Sequence, residues 1–315
     1  MADLPQRRTC GAHELHAALM RTNQDYARAR AAIEARAAAM GDLPPPSEPT
    51  VIPVVVHVIH RGGVENISDA QIKSQIDVLN LDYRKKNTDI AKVPSPFKTL
   101  VADAFVEFIL ASKDPSGNPT NGITRTRTTV AQFSADNAMK FSAQGGHDAW
   151  DATRYLNLWV CPEIMDGPNT LLGYAQFPGG LPATDGVAII HNAFGTTGTA
   201  TAPFNLGRTA THEVGHWLDL FHIWGDAAGC NTDDKVTDTP VQDRENFGKP
   251  TFPHITCNNA PNGDLFMNYM DYVDDDAMFM FTQGQIARVR ATLAGARSTI
   301  GKPAVAALAG VAPGS

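Results

Sequence analysis

The sequence predicts a layered fold of mixed α and β structure, α/β or α+β, and three features predict it. Val51-Ile52-Pro53-Val54-Val55-Val56-His57-Val58-Ile59 is a β-branched run that reads as a strand. Across residues 68–86, Ile72, Ile76, Leu79 and Tyr83 recur at helical spacing. Segments 105–110, 123–130, 155–161 and 186–191 then read as further strands, with loops at Gly179-Gly180 and at 195–198. In the helix, Ser68 and Gln71 form a capping box, and Arg84, Lys85 and Lys86 suit its C-terminal dipole. Ahead of the first strand, residues 1–43 are rich in Ala and Arg, and Leu15, Leu19, Tyr26 and Ile33 make a weak apolar stripe. This reads as a loose helix on an extension outside the core, stopped by a linker at Pro44-Pro45-Pro46. A last helix starts at Thr282, with Gln285 completing a second capping box and Ile286, Val289 and Leu293 as its apolar face. The tail after Gly301 is small and apolar, expected to fray, and no internal repeat is visible.

Composition narrows the function classes. At 315 residues, 43% hydrophobic and 19% charged, the chain is ordinary globular protein with room for one large domain or two smaller ones. Its net charge of −7 argues against nucleic acid as a partner. No apolar run approaches the roughly 20 residues of a membrane-spanning helix. The first residues lack the apolar core of a signal peptide, so the chain either avoids that export route or has already lost a leader. Four cysteines are too few for a disulfide scaffold, although two can pair.

The chemistry is concentrated in Thr211-His212-Glu213-Val214-Gly215-His216-Trp217-Leu218-Asp219-Leu220-Phe221-His222. Four-residue spacing puts His212 and His216 on one helix face, one turn apart, where two neutral imidazoles can grip one Zn²⁺. Glu213, beside the first of them, is placed to act as a general base. His222 can return as a third ligand only if the chain turns sharply near Asp219; three histidines leave a fourth position open, as a catalytic zinc requires. Leu206, Ala210, Val214, Trp217 and Leu218 supply an apolar face for the helix. The bland alternative is an amphipathic helix with satisfied histidines.

His212-Glu213-x-x-His216-x-x-x-x-x-His222 resembles the metzincin zinc site, and Asn268-Tyr269-Met270-Asp271-Tyr272 resembles that clan's methionine turn. With Leu172-Gly173-Tyr174-Ala175-Gln176-Phe177-Pro178, Asp185-Gly186-Val187, Asp238-Thr239-Pro240 and Phe281-Thr282-x-Gly284-Gln285, the chain is similar to the pappalysin family, above all its small microbial members, over roughly residues 50–297. The resemblance implies an α+β fold. A twisted mixed sheet with a backing helix and an active-site helix lies above, and an irregular lower subdomain with a C-terminal helix lies below. It divides the chain into a propeptide-like extension and linker (1–49), an upper subdomain (50–222), a lower one (223–300) and a tail (301–315).

The same resemblance implies a secreted zinc endopeptidase acting on protein or peptide substrates as a monomer, with no nucleic acid or membrane partner. His212, His216 and His222 are the implied zinc ligands and Glu213 the base that takes the proton of the attacking water. Met270 is implied as a thioether floor and Tyr272 as an oxyanion donor. Asp219 stands where the clan has Gly, so this residue must enter the left-handed region at a cost of about 1 kcal/mol relative to Gly. A Cys230–Cys257 disulfide is implied, which favours an oxidising compartment. Cys161 reads as an inert buried thiol. Cys10, in Arg8-Thr9-Cys10-Gly11, matches the Cys-Gly of microbial propeptides and is expected to cap the zinc in a latent form, the alternative being a solvated thiol. Asp233, Asp234, Thr237, Asp238 and Thr239 crowd hard oxygen donors as a calcium loop would. Asp276, with Asp275 next to it as the fallback, is expected to select Arg, then Lys, after the scissile bond; solvated aspartates are the alternative. Cutting of the extension is expected in the Arg-rich segment 28–36. The rival readings are a zinc-stabilised binding protein without turnover and a zinc peptidase with a carboxylate third ligand.

Overall fold

The computed structural model describes residues 4–40 and 46–301, so Pro44 and Pro45 of the expected linker and the tail 302–315 lie outside the described residues. Its centre is β1 (Thr50–His60), the β-branched run, which has neighbours on both edges. Parallel strands β2 (Val106–Leu110) and β3 (Ile123–Arg127) share one edge, and β5 (Leu156–Cys161) takes the other. The sheet continues through parallel β9 (Val187–Ile190) to antiparallel β8 (Gly173–Ala175). Layers on both faces explain why β1 is almost continuously apolar rather than alternating. Two small sheets complete the strands. One joins β4 (Phe133–Ser134), β6 (Ile164–Asp166) and β7 (Asn169–Leu171), and the other pairs β10 (Phe247–Gly248) with β11 (Tyr272–Val273).

Before β1 come α1 (Ala12–Thr22) and α2 (Gln24–Met40). After it, α3 (Asp69–Tyr83) packs on β2, and α4 (Arg208–Trp217) packs on β8, β9 and α3. The α3–α4 contact is polar as well as apolar. The Tyr83 hydroxyl donates to the Thr211 carbonyl at 3.0 Å, and Thr211 donates to the buried Asp82 carboxylate at 2.7 Å. Arg208 completes this join with an ion pair to Asp82 at 3.1 Å. Beyond α4 the chain is mostly irregular until α5 (Gln283–Ala294), which carries the expected Thr282/Gln285 capping box. Cys230 and Cys257 are disulfide-bonded, and Cys161 is a buried free thiol.

Several local expectations change. Ser68 does cap α3, accepting from the Gln71 N–H at 3.2 Å, but the reciprocal half of the box is missing. The Gln71 side chain instead donates to the carbonyls of His191 and Phe194, because satisfying two buried carbonyls outweighs a local cap. The helix ends at Tyr83, so Arg84, Lys85 and Lys86 lie beyond its last turn; Arg84 pairs with Asp103 and Lys85 donates to the Val101 carbonyl. Leu206 precedes α4 and is partly exposed rather than part of its apolar face.

The extension departs most. It is two docked helices, not one loose helix. The break falls at Asn23, whose side chain accepts from the Tyr26 N–H at 3.0 Å and starts α2. Tyr26 and Arg30 are buried and α2 lies along α5, so segment 28–36 is helical and docked on one face rather than loose, with Arg28 and Arg36 exposed.

Candidate active site

The geometry of α4 begins with its end. The helix closes at Leu218, where the Leu220 N–H donates to the Gly215 carbonyl at 2.9 Å and the Asp219 N–H donates to His216 at 2.9 Å. These are the two bonds of a Schellman turn, which needs a left-handed residue between them. Asp219 supplies it with φ of 79°. The reversal carries His222 back to the face of α4 that bears His212 and His216. The three Nε2 atoms stand 3.2, 3.2 and 3.0 Å apart. Tetrahedral zinc with bonds of about 2.05 Å spaces its nitrogens about 3.3 Å apart, so the triangle fits that ion with little adjustment.

Each ring is oriented from behind. His212 Nδ1 faces the Tyr269 carbonyl at 2.7 Å and His216 Nδ1 faces the Leu220 carbonyl at 2.7 Å. His222 Nδ1 is bonded to the Asp226 carboxylate. Protons on the three Nδ1 atoms leave three Nε2 lone pairs converging on one point, an arrangement that repels unless a cation sits there. Burial, followed by the neighbouring imidazoles, holds His212 and His216 well below the usual histidine range, so both are neutral as ligation requires.

Cys10 brings a fourth donor. The segment around it docks on β8, where the Gly11 N–H donates to the Gly173 carbonyl at 3.0 Å. Its Sγ and the three imidazole nitrogens all lie within 4.8 Å of one another. That Sγ is also 3.4 Å from Glu213 Oε2. Burial raises the Glu213 carboxyl to about 8, so the group holds a proton readily beside the sulfur. The Tyr272 ring stands edge-on to His222, and its hydroxyl donates to the Cys10 carbonyl at 3.3 Å. Burial pushes the Tyr272 hydroxyl up, so it remains a donor. Met270 packs beneath α4, and a Cβ at Gly215 would fall 2.5 Å from its Sδ. The glycine inside the histidine motif is therefore what admits the methionine.

Two residues before Cys10, Arg8 is buried in a polar pocket. It pairs with Asp275 at 2.5 Å, donates to Thr209 Oγ1 at 3.1 Å and donates to the Val273 carbonyl at 3.2 Å. The other Asp275 oxygen accepts the Leu206 N–H at 2.7 Å and the Arg208 N–H at 3.3 Å, capping the start of α4. Asp276 is exposed and pairs with Lys249 at 2.6 Å, so of the two expected acids it is Asp275 that faces Arg8. The physical reason is the single helical turn at 275–277. Only one of two successive residues can point at the unsatisfied N–H groups of α4, and that one is Asp275.

The expected calcium loop is only partly assembled. Asp234 is buried with Oδ2 unpartnered, while its Oδ1 accepts from Thr239 at 2.7 Å. Asp238 turns away to the start of α5, accepting from Thr282 at 2.7 Å and the Gly284 N–H at 2.9 Å. Asp233 and Thr237 are exposed. Sequence reasoning missed Asp226 and Arg8. Asp226 lies four residues past His222, a spacing that could have suggested it, whereas the partner of Arg8 is 267 residues away.

The peptidase M43 family profile, described as pregnancy-associated plasma protein-A, matches residues 140–294. An extracellular metalloprotease of Pyricularia oryzae is 33% identical over 294 residues, 90% of this chain and 88% of that protein. One from Verticillium alfalfae is 31% identical over 256 residues, 78% of each. Among solved structures, a mutant of Tannerella forsythia promirolysin superposes with TM-score 0.85 at 45% identity, covering 94% of this chain and all of that one. Mature mirolysin in complex with a cleaved peptide gives 0.77 at 50% identity, covering 82% of this chain and all of that one.

Asp226 generates a prediction of its own. Asp226→Ala should weaken Zn²⁺ binding at the histidine cluster by about 10–100-fold, since His222 loses the partner that fixes its tautomer. Competition with a chelating dye measures this directly.

Proposed function

This chain belongs to the pappalysin family of metzincin metallopeptidases and is a metalloendopeptidase; on that premise we propose that it hydrolyses peptide bonds with Glu213 as general base, preferring Arg and then Lys after the scissile bond. The observation that carries the reading is the convergence of three imidazoles beside a buried carboxyl. His212, His216 and His222 would hold Zn²⁺, which when bound would supply Lewis-acid polarisation of the scissile carbonyl and lower the pKa of a water. The raised Glu213 carboxyl suits it to take a proton from water and pass it to the leaving amine nitrogen. Tyr272, protonated and facing the position of Cys10, is the donor for the developing oxyanion. Met270 fixes the floor without ligating.

Specificity and latency follow from the extension. Arg8 sits in the Asp275 pocket as a substrate guanidinium would, which supports basic residues there. Cys10 is read as the group that holds the fourth zinc position until residues 1–49 are removed. Secretion is supported by relatives named as extracellular and by the disulfide. The division at residues 49, 222 and 300 is kept as part of this reading. A calcium ion is proposed at Asp234, where a buried carboxylate oxygen has no partner; Thr239 and Asp233 complete the donor set, with Thr237 and Asp238 more distant candidates.

Four outcomes test this reading. After activation, Glu213→Ala should lower kcat/KM by about 10²–10⁴-fold with zinc stoichiometry unchanged, and near-parent turnover removes Glu213 from the mechanism. In the full-length chain, Cys10→Ala should raise peptide cleavage before any processing, whereas activity equal to the parent sinks the cysteine cap. A peptide library should show cuts before Arg. Asp275→Asn keeps an oxygen for the α4 cap and should lose at least about tenfold of that preference, while Asp276→Asn keeps it; selection of Leu or Phe overturns the assignment. Burial raises the Asp234 carboxyl to about 7, above its unfolded value, so charging it as pH rises from 4 to 7 weakens the calcium-free fold. Added Ca²⁺ should therefore raise Tm more at pH 8 than at pH 5, and Asp234→Asn should abolish the difference.

A further inference from the structure

The extension holds the body at a third place, behind the turn that ends α4. Arg30, on α2, lies with its guanidinium over the rings of Phe177 and Phe221, and pairs with Asp219 at 2.6 Å. The second Asp219 oxygen pairs with Arg288 of α5 at 2.9 Å. Arg288 reaches back to α2, where its Nη1 donates to Glu34 at 3.1 Å, and Glu34 pairs with Arg30 at 3.0 Å. Two carboxylates and two guanidiniums thus alternate in a closed ring. One carboxylate and one guanidinium come from the extension and the other two from the body. Asp219 is fully buried, and Arg30 and Arg288 nearly so.

The ring exists because residue 219 is not glycine. Glycine would serve the left-handed turn equally well, but it would leave Arg30 and Arg288 facing each other with only Glu34 between them. A buried ion is tolerated only while its partner is present. The body therefore presents a site complementary to a helix bearing Arg and Glu four residues apart, and α2 is that helix. The same helix carries Arg28, Arg30 and Arg36, the stretch in which cutting is expected. A bond inside a docked helix reaches a protease only after local opening.

We propose that this ionic ring, centred on Asp219, gates removal of the extension: α2 must leave Asp219 and Arg288 before the chain can be cut within residues 24–40. The identity of the cutting enzyme as this peptidase rests on the function proposed above; the gate itself does not.

The test uses the full-length, zinc-loaded chain and two readouts that need none of its own catalysis. These are hydrogen exchange across residues 24–40 and the rate at which trace trypsin removes the extension. Asp219→Asn keeps a side chain suited to a left-handed backbone, and Arg30→Gln alters only the extension. Each should speed both readouts about tenfold or more, and the double variant should be no faster than the faster single. Should Asp219→Asn fail to fold, Arg30→Gln alone decides. Unchanged exchange in α2, multiplying effects in the double variant, or exchange rising equally in α5 of Arg30→Gln would overturn the gate. If α2 responds as expected but the activated chain does not cut before Arg, the specificity reading fails and the gate stands.

Discussion

The site depends on the left-handed turn that ends α4. Without a reversal at Asp219, the helix would carry residue 222 away from His212 and His216, and two imidazoles would face an incomplete coordination sphere. The turn is held by two backbone bonds to carbonyls of the last helical turn and by Arg288, which donates to the Asp219 carbonyl at 2.6 Å. The His216 ring is oriented by the carbonyl of Leu220, within the same reversal, so the turn positions a second ligand as well as the third. An acidic side chain at this place needs neutralising because it is fully buried, and the two arginines around it do so.

Beyond that turn regular structure gives way to side-chain hydrogen-bond networks. Asn268 and Gln285 exchange side-chain hydrogen bonds at 2.8 and 3.0 Å, tying the methionine turn to the start of α5. Asp271 accepts from the Asn246 N–H at 2.8 Å and from Gln242 at 2.9 Å, which fixes the next residue, Tyr272, against the histidines. Such loops are costly to bury unless each polar group finds a partner, and here side chains take the place of a sheet ladder. Met270 then needs only shape, and Gly215 provides it.

The extension behaves electrostatically as an internal ligand. It brings a sulfur to three nitrogen donors, a guanidinium to Asp275 and another to Asp219. Each contact adds to what the body already offers a buried group: Asp219 also pairs with Arg288, and Asp275 also accepts from the start of α4. Glu213, raised by burial and set beside Cys10, shares this logic: the surroundings that raise its carboxyl also favour a shared proton with the thiol.

The sequence by itself determined whatever short spacing controls. The β1 run is set by its β-branched residues, the α3 stripe and the facing pair His212/His216 by the 3.6-residue helical period, and the capping box of α5 by a spacing of three residues. The family resemblance extended this to Met270, Tyr272 and the Cys230–Cys257 pair. Tertiary structure decided which of several chemically equivalent groups met a given partner. It chose Asp275 over Asp276, because one of them had to cap α4, and it turned Gln71 from its own helix end to two buried carbonyls. It also made the extension two docked helices, since Arg30 gains its burial against residues about 150 to 190 positions away. A charge or amide on the chain records its donors and acceptors but not its partner, and at long separation only packing selects which partner is within reach.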